Sequence, residues 1–386
     1  MRPIALLLVL PLAGAGTAQE SRPTAVRDPR IERDAAEARA GYDRALAALL
    51  RMQRPDGAFA LGTLENSFEM VFSVETFHAW RVAAHALACL ALIDAPVTPE
   101  RTRALERGLE WFGRARAPLR GNDWDNDAVW GWVYGVGMAV RASQDPRWSG
   151  TELGTQVERR GREYLGWLER NQVPEGGFGY YDDPTFSRRP KWATSFTTAA
   201  VIPALVECRR MGWSEDGDML RRAAEYLRRC RLPNGAIQYD LRPVPRSFVG
   251  ESIDTVKGSL GRIQVANWAL HHAGDPGTDV ARVRAGVELF FTHDHFLRVA
   301  RMRPIPHEAY YANAGYFFLF GHYYVGQTIQ LLPEAEREAW HRKLRGRLLA
   351  VQRDDGSFCD FLGSSYLVAA GTAFGAMALR AGLPDR

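Results

Sequence analysis

Apolar positions along this chain fall at helical spacing, in segments that alternate between two kinds. One kind is amphipathic: across residues 45–52, Leu46, Leu49 and Leu50 mark a single face. The other kind is apolar almost all round and rich in Ala, Gly, Ser and Thr, as in residues 195–211 and 365–380. Small side chains let backbones approach closely, which suits an inner layer. Between the two kinds lie turns such as Pro55-Asp56-Gly57 and Asp354-Asp355-Gly356. Proline cannot continue a helix and glycine accepts φ > 0, so these turns are stops. The pattern predicts an all-α protein built from helix pairs.

The stops belong to a repeat. Residues 49–59, 168–178 and 348–358 each read Leu, three residues, Gln, three residues, Gly, one residue, Phe. Three weaker copies carry Arg116, Arg231 and Asp294 where the others carry Gln53, Gln172 and Gln352. Successive anchors are 63, 56, 59, 63 and 58 residues apart, which fills the chain with six units. Six stacked pairs bury one continuous core. An open stack would need polar capping repeats at its ends, yet residues 366–379 are apolar almost throughout. Closure into one ring is expected: an (α/α)6 toroid.

The Leu-x3-Gln-x3-Gly-x-Phe repeat resembles that of the terpenoid cyclase and protein prenyltransferase superfamily, in particular exported bacterial proteins with prenyltransferase and squalene oxidase repeats. The likeness covers essentially residues 31–386. It implies that the first helix of each pair is outer, the second inner, and that a pocket opens where the inner helices begin. The catalytic motifs of that superfamily are missing. Cys359 adjoins Asp360 but makes no Asp-x-Cys zinc pair, and neither Asp125-Asn126-Asp127 nor Asp182-Asp183 forms an Asp-x-Asp-Asp acid.

Composition adds location more than chemistry. Residues 1–18 have a basic start, a short apolar run and a small-residue cleavage site, the pattern of a signal peptide. Residues 19–30 read as a flexible leader. Export to the periplasm or beyond is therefore expected. A net charge of +4 gives no reason to expect nucleic acid as a partner. Arg221, Arg222, Arg228 and Arg229 read as a solvated outer face. Residues 309–332 hold no Asp, Glu, Lys or Arg, but their polar residues and scattered aromatics indicate a buried helix, so no membrane span is expected after signal cleavage. Cys89, Cys208, Cys230 and Cys359 are expected as free thiols, because antiparallel neighbours put the helix ends carrying Cys208 and Cys230 at opposite poles.

The candidate site is the mouth where six inner helices begin. Their N-termini carry unpaired N–H groups and positive dipole ends, which favour anionic or hydroxyl-rich ligands. The loops leading to it supply Trp124, Asp125, Asp127 and Trp130, then Arg188 and Arg189, then Arg298, Arg301, His307 and Tyr311. His322, on the aromatic-rich fifth inner helix, is a further candidate ligand contact. His293 and His295 stand two apart, a weak spacing for a metal, and neither metal nor organic cofactor is expected. Three functions are compatible: a toroid binding a small molecule, glycan or protein ligand outside the cytoplasm; a polysaccharide lyase or hydrolase; and an isoprenoid-handling transferase or cyclase lacking the usual motifs.

Overall fold

The computed structural model describes residues 29–60, 73–119, 127–179, 192–214, 217–241, 247–248, 251–361 and 365–383. The signal segment and most of the leader lie outside these residues. Six helices form the outer layer: α1 Pro29–Met52, α3 Pro99–Arg114, α5 Glu152–Asn171, α7 Gly217–Arg229, α9 Val280–His293 and α12 Glu334–Leu349. Six inner helices alternate with them: α2 Val74–Ile93, α4 Ala128–Gln144, α6 Ser195–Arg210, α8 Leu260–His272, α11 Phe317–Ile329 and α13 Ser365–Ala381. A short α10, His295–Ala300, precedes α11.

Local chemistry sets these boundaries. Thr98 caps α3 by accepting from the Arg101 N–H, with Pro99 in the first turn; Thr151 caps α5 and Asp279 caps α9 in the same way. The outer helices bury one stripe, such as Leu105, Leu109 and Phe112 on α3. The inner helices bury nearly every side, and Gly261 of α8 meets Gly321 of α11 so closely that a Cβ would sit 3.4 Å from the opposing Cα. Among the described residues, α2 is long and apolar enough to cross a membrane, and it is mostly buried within the ring.

Each inner helix packs on the next, from α2 through α4, α6, α8 and α11 to α13, and α13 packs back on α2. The ring is closed. The anchor glutamines carry the closure. In each strong copy the side-chain amide donates to the carbonyl of its own turn glycine and to a carbonyl on the following outer helix. Gln53 reaches Gly57 at 3.0 Å and Ala104 at 2.6 Å; Gln172 reaches Gly176 at 2.7 Å and Met219 at 2.9 Å. Gln352 reaches Gly356 at 2.9 Å and Gly41 at 2.7 Å, and Gly41 lies on α1, so the last repeat bonds to the first. The turn glycine then lies flat on that helix: Gly356 has φ +83°, and a Cβ there would come 2.5 Å from the Arg44 carbonyl oxygen. Buried Arg345 of α12 adds a second clasp, donating to Asp34 of α1 and to the Gly382 carbonyl.

The weak copies solve the problem differently. Arg231 donates to Gly277 and Thr278 at the entry to α9, and Asp294 accepts from Arg347 of α12. Arg116 departs from the pattern and pairs with Glu75 at the start of α2, an inner helix.

The all-α class holds, with one small antiparallel hairpin of Ser247–Phe248 and Glu251–Ser252 before α8. Two details differ from expectation. Residues 309–332 are not one helix: a 3₁₀ turn at Tyr310–Ala312 precedes α11, which begins only at Phe317. Helix α1 starts at Pro29, one residue before the expected end of the leader. All four cysteines are free and buried, as expected.

Replacing Gln352 or Gln172 by Ala is expected to cost about 1–3 kcal/mol, because buried carbonyls lose their donor. Urea denaturation of each variant checks this, and unchanged midpoints for both would show that the anchors do not hold the ring.

Candidate functional site

The connection from α10 to α11 crosses the mouth of the ring in an unusual backbone conformation. Met302, His307, Tyr311 and Ala312 have φ of 63°, 63°, 58° and 51°, and among the described residues they are the only non-glycine positions with positive φ. Such backbone costs on the order of 1–2 kcal/mol per residue and persists only where surrounding contacts enforce it. Those contacts are present. The Met302 N–H donates to Asp360 O at 2.7 Å, and buried Asn313 donates to Lys257 O at 3.1 Å and Tyr310 O at 3.0 Å.

Held this way, the loop aims His307 at Tyr316. One imidazole nitrogen, Nδ1, lies 2.7 Å from the Ala312 carbonyl oxygen, which can only accept. The proton therefore sits on Nδ1. In the neutral ring Nε2 must then accept, and it takes the Tyr316 hydroxyl at 2.9 Å. Tyr239 meets the His307 ring edge-on, with centroids 6.2 Å apart. Beneath Tyr239 lies the buried guanidinium of Arg262, satisfied by the Ile237 and Ile253 carbonyls; burial lowers its pKa to about 10. Lys257 donates to the Tyr311 hydroxyl at 3.0 Å and lies over the Phe296 ring.

Four carboxylates stand near the same pole, each engaged by an N–H. Asp127 accepts from Trp80 Nε1 at 2.6 Å, Asp240 from Trp192 Nε1 at 2.7 Å, and Asp254 from the Tyr239 N–H at 2.6 Å. Asp360 accepts from the Leu319 N–H at 2.7 Å, in the first turn of α11. Desolvation raises Asp127 to about 6 and Asp360 to about 7, outweighing those hydrogen bonds. Among the described residues no three His, Cys, Asp or Glu side chains are grouped to hold a metal ion.

The residues expected at the mouth have divergent positions. Trp124, Asp125, Arg188 and Arg189 lie outside the described residues. Asp127 and half-buried Trp130 are at the start of α4, where Trp130 stacks on Tyr134 and Phe196. His307 and Tyr311 belong to the strained loop. Arg298 is exposed on α10, whereas Arg301 turns aside to donate to Cys359 O at 3.3 Å. His322 does not reach the lumen. It is fully buried between Phe318 and Phe290 of α9, donates from Nδ1 to Phe318 O, and burial lowers its pKa to about 4. Tyr239 was not foreseen: it enters through the loop backbone and no periodic signal marks it.

The interior also differs from expectation. At the level of the first helical turns, Phe196 contacts Trp130, Tyr239, Phe317 and Phe320, so rings from different inner helices meet across the axis. Tyr134, Phe320 and Phe374 form a second layer. Beyond this plug, a cavity of about 660 Å³ opens at the opposite pole, among the C-terminal halves of the inner helices.

Asp360 makes stability pH-dependent in a defined direction. Its folded pKa of about 7 exceeds the unfolded value near 3.9, so between them the folded state holds a proton that the unfolded state lacks. That contribution is complete at low pH and is lost as pH rises toward 7. Asp360→Asn keeps an acceptor for Leu319 and never ionises. The variant should therefore gain on the native protein by about 1.4 kcal/mol per pH unit between roughly pH 5 and 7. Urea denaturation across that range measures it; a constant difference would mean that Asp360 does not titrate there.

No protein-family model matches the chain, and no curated protein matches it. Solved structures do. The type II terpene cyclase MstE from Scytonema is 14% identical, with 90% of this chain and 98% of that chain covered and a TM-score of 0.52. An inactive variant of the α-1,6-mannanase GH76A of Salegentibacter sp. HEL1_6, in complex with an α-1,6-linked mannotetraose, is 12% identical, covers 90% and 99%, and has a TM-score of 0.58. Cellobiose 2-epimerase from Spirochaeta thermophila is 15% identical, covers 93% and 99%, and has a TM-score of 0.57. At such identities the likeness concerns the fold: the chain is an α/α toroid, the fold that these structures share.

Proposed function

We propose that the mouth of the ring binds an acidic glycan and that His307 and Tyr316 remove a proton from it, making the protein a polysaccharide lyase that works outside the cytoplasm. The observation that carries this reading is the fixed tautomer of His307, whose Nε2 accepts from the Tyr316 hydroxyl at 2.9 Å. A uronate C5–H is acidified by its neighbouring carboxylate. In the reaction, Tyr316 passes its proton to His307 Nε2 and its oxygen takes the C5 proton. The resulting enolate re-forms the carboxylate and expels the C4 glycosidic oxygen, which leaves with a proton returned by the pair. The products are a 4,5-unsaturated uronate and a shortened chain.

Lys257 and exposed Arg298 favour an anionic substrate, as do the positive ends of the inner helices. Arg188 and Arg189 would add charge, and Trp124, Asp125, Asp127, Trp130 and Tyr311 would complete the polar and aromatic surround. A hydrolytic carboxylate pair has less support, because Asp127, Asp240, Asp254 and Asp360 each use an oxygen to hold an N–H of the scaffold. An isoprenoid substrate has less support too, since the Asp-x-Asp-Asp and Asp-x-Cys motifs are missing.

The test is to incubate the protein with polyuronates and follow the ultraviolet absorbance of the new C=C bond. Tyr316→Phe and His307→Asn should lower kcat about 10²–10⁴-fold. Asn accepts the left-handed backbone of His307, so that variant should fold. Arg298→Ala should weaken binding most at low salt. Binding without cleavage would leave a glycan-binding toroid in place of a lyase. Binding to no acidic glycan would end both readings.

A further inference from the structure

The cavity at the far pole has the chemistry of a second site. Its volume of about 660 Å³ falls within the range of small-molecule pockets, and it is lined by the last turns of the inner helices together with Tyr42 of α1. Tyr42 is 1% exposed, and its hydroxyl has no hydrogen-bond partner. A buried hydroxyl is costly unless something pairs with it, and Tyr42 forms part of the cavity wall with its hydroxyl turned away from the open space. Desolvation raises its pKa to about 12, so it is present as the neutral phenol.

The charged groups of the lining are already paired. Arg141 donates to Asp94, Glu207 accepts from Arg210 at 2.5 Å, and Arg380 donates to Leu383 O at 3.3 Å. These arginines sit in the last turns of their helices, where they offset the negative dipole ends. What faces the space is neutral. Tyr323 and Gln327 each donate and accept, while Trp268 and Tyr134 present rings. A charged ligand would compete with the Arg141–Asp94 and Arg210–Glu207 pairs. A hydrocarbon would leave the hydroxyl and the amide unpaired.

From this lining we infer that the C-terminal pole of the inner ring is a second binding site, for a neutral saccharide of one or two rings. Hydroxyl groups would pair with Tyr323 and Gln327, and a sugar face would stack on Trp268. The site does not depend on the lyase reading, because the aromatic plug of Phe196, Phe317, Phe320 and Phe374 separates it from the mouth.

Two variants make the inference testable. Gly137 of α4 lines the cavity, and a Cβ built there meets nothing within 4 Å, so Gly137→Leu should fold and occupy the space. Gln327→Ala removes a half-buried amide from the cavity wall, so the variant should fold and lose a polar partner for the ligand. Calorimetric titration with glucose, mannose, cellobiose, mannobiose and the neutral isoprenoid alcohol farnesol provides the readout. At least one of the saccharides should bind, and each variant should weaken it about tenfold or more, the size of effect expected from a lost polar partner. Tyr316→Phe, at the other pole, should leave that affinity unchanged. Absence of binding by all four saccharides, saccharide affinity that survives Gly137→Leu, or binding of farnesol alone would each overturn the inference.

Discussion

A ring of repeats stands or falls on whether its last unit finds its first. Here that meeting is made by one side chain type used three times. Gln53, Gln172 and Gln352 each tie a turn to its own glycine and to the following outer helix, and for Gln352 the following helix is α1. The geometry of the bond is the same at the closure as within the ring. No special end-cap is needed, because the chain's N-terminal helix takes the place of a seventh repeat. Arg345, buried between α12 and Asp34 of α1, reinforces the join.

Closure orients everything else. It points six inner helices the same way, so one pole gathers N-termini and the other gathers C-termini. The rings that meet on the axis, centred on Phe196 and Phe320, divide the lumen between the poles. At the first pole a rigid rim supports a loop with four left-handed non-glycine residues, and the strain is spent on holding one histidine tautomer against one tyrosine. At the second pole the closing helix contributes directly, since Tyr42 of α1 forms part of the cavity wall. The two poles therefore differ in charge and chemistry for the same structural reason.

Much of this was legible in the sequence, and the boundary of legibility has a physical basis. The six anchors are periodic, and periodicity is what a repeat imposes on side chains that bond to a neighbouring unit. Gln53, Gln172 and Gln352 could be recognised as structural for that reason. Arg116 could not be assigned, because its partner, Glu75, belongs to an inner helix and breaks the pattern. The residues of the mouth obey no period. His307 and Tyr311 were visible as loop residues, but their roles depend on φ values that composition does not encode. The uncharged run before and through α11 read as one helix because hydrophobicity does not register the left-handed turn at Tyr311 and Ala312. His322 was expected at the site, since an aromatic-rich helix does not reveal which of its faces meets the outer layer. The far cavity escaped notice because small and polar residues near helix ends read equally as packing and as solvent-facing surface.

Native-state hydrogen exchange measures the closure most directly. In an open stack, terminal units fray, and protection declines toward both ends of the chain. In a closed ring the first and last inner helices are neighbours in the core. Amides of α2 and α13 should then exchange as slowly as those of α6 and α8, in a single cooperative unit. A graded loss of protection toward α2 and α13, with α6 and α8 protected alone, would contradict the closed ring.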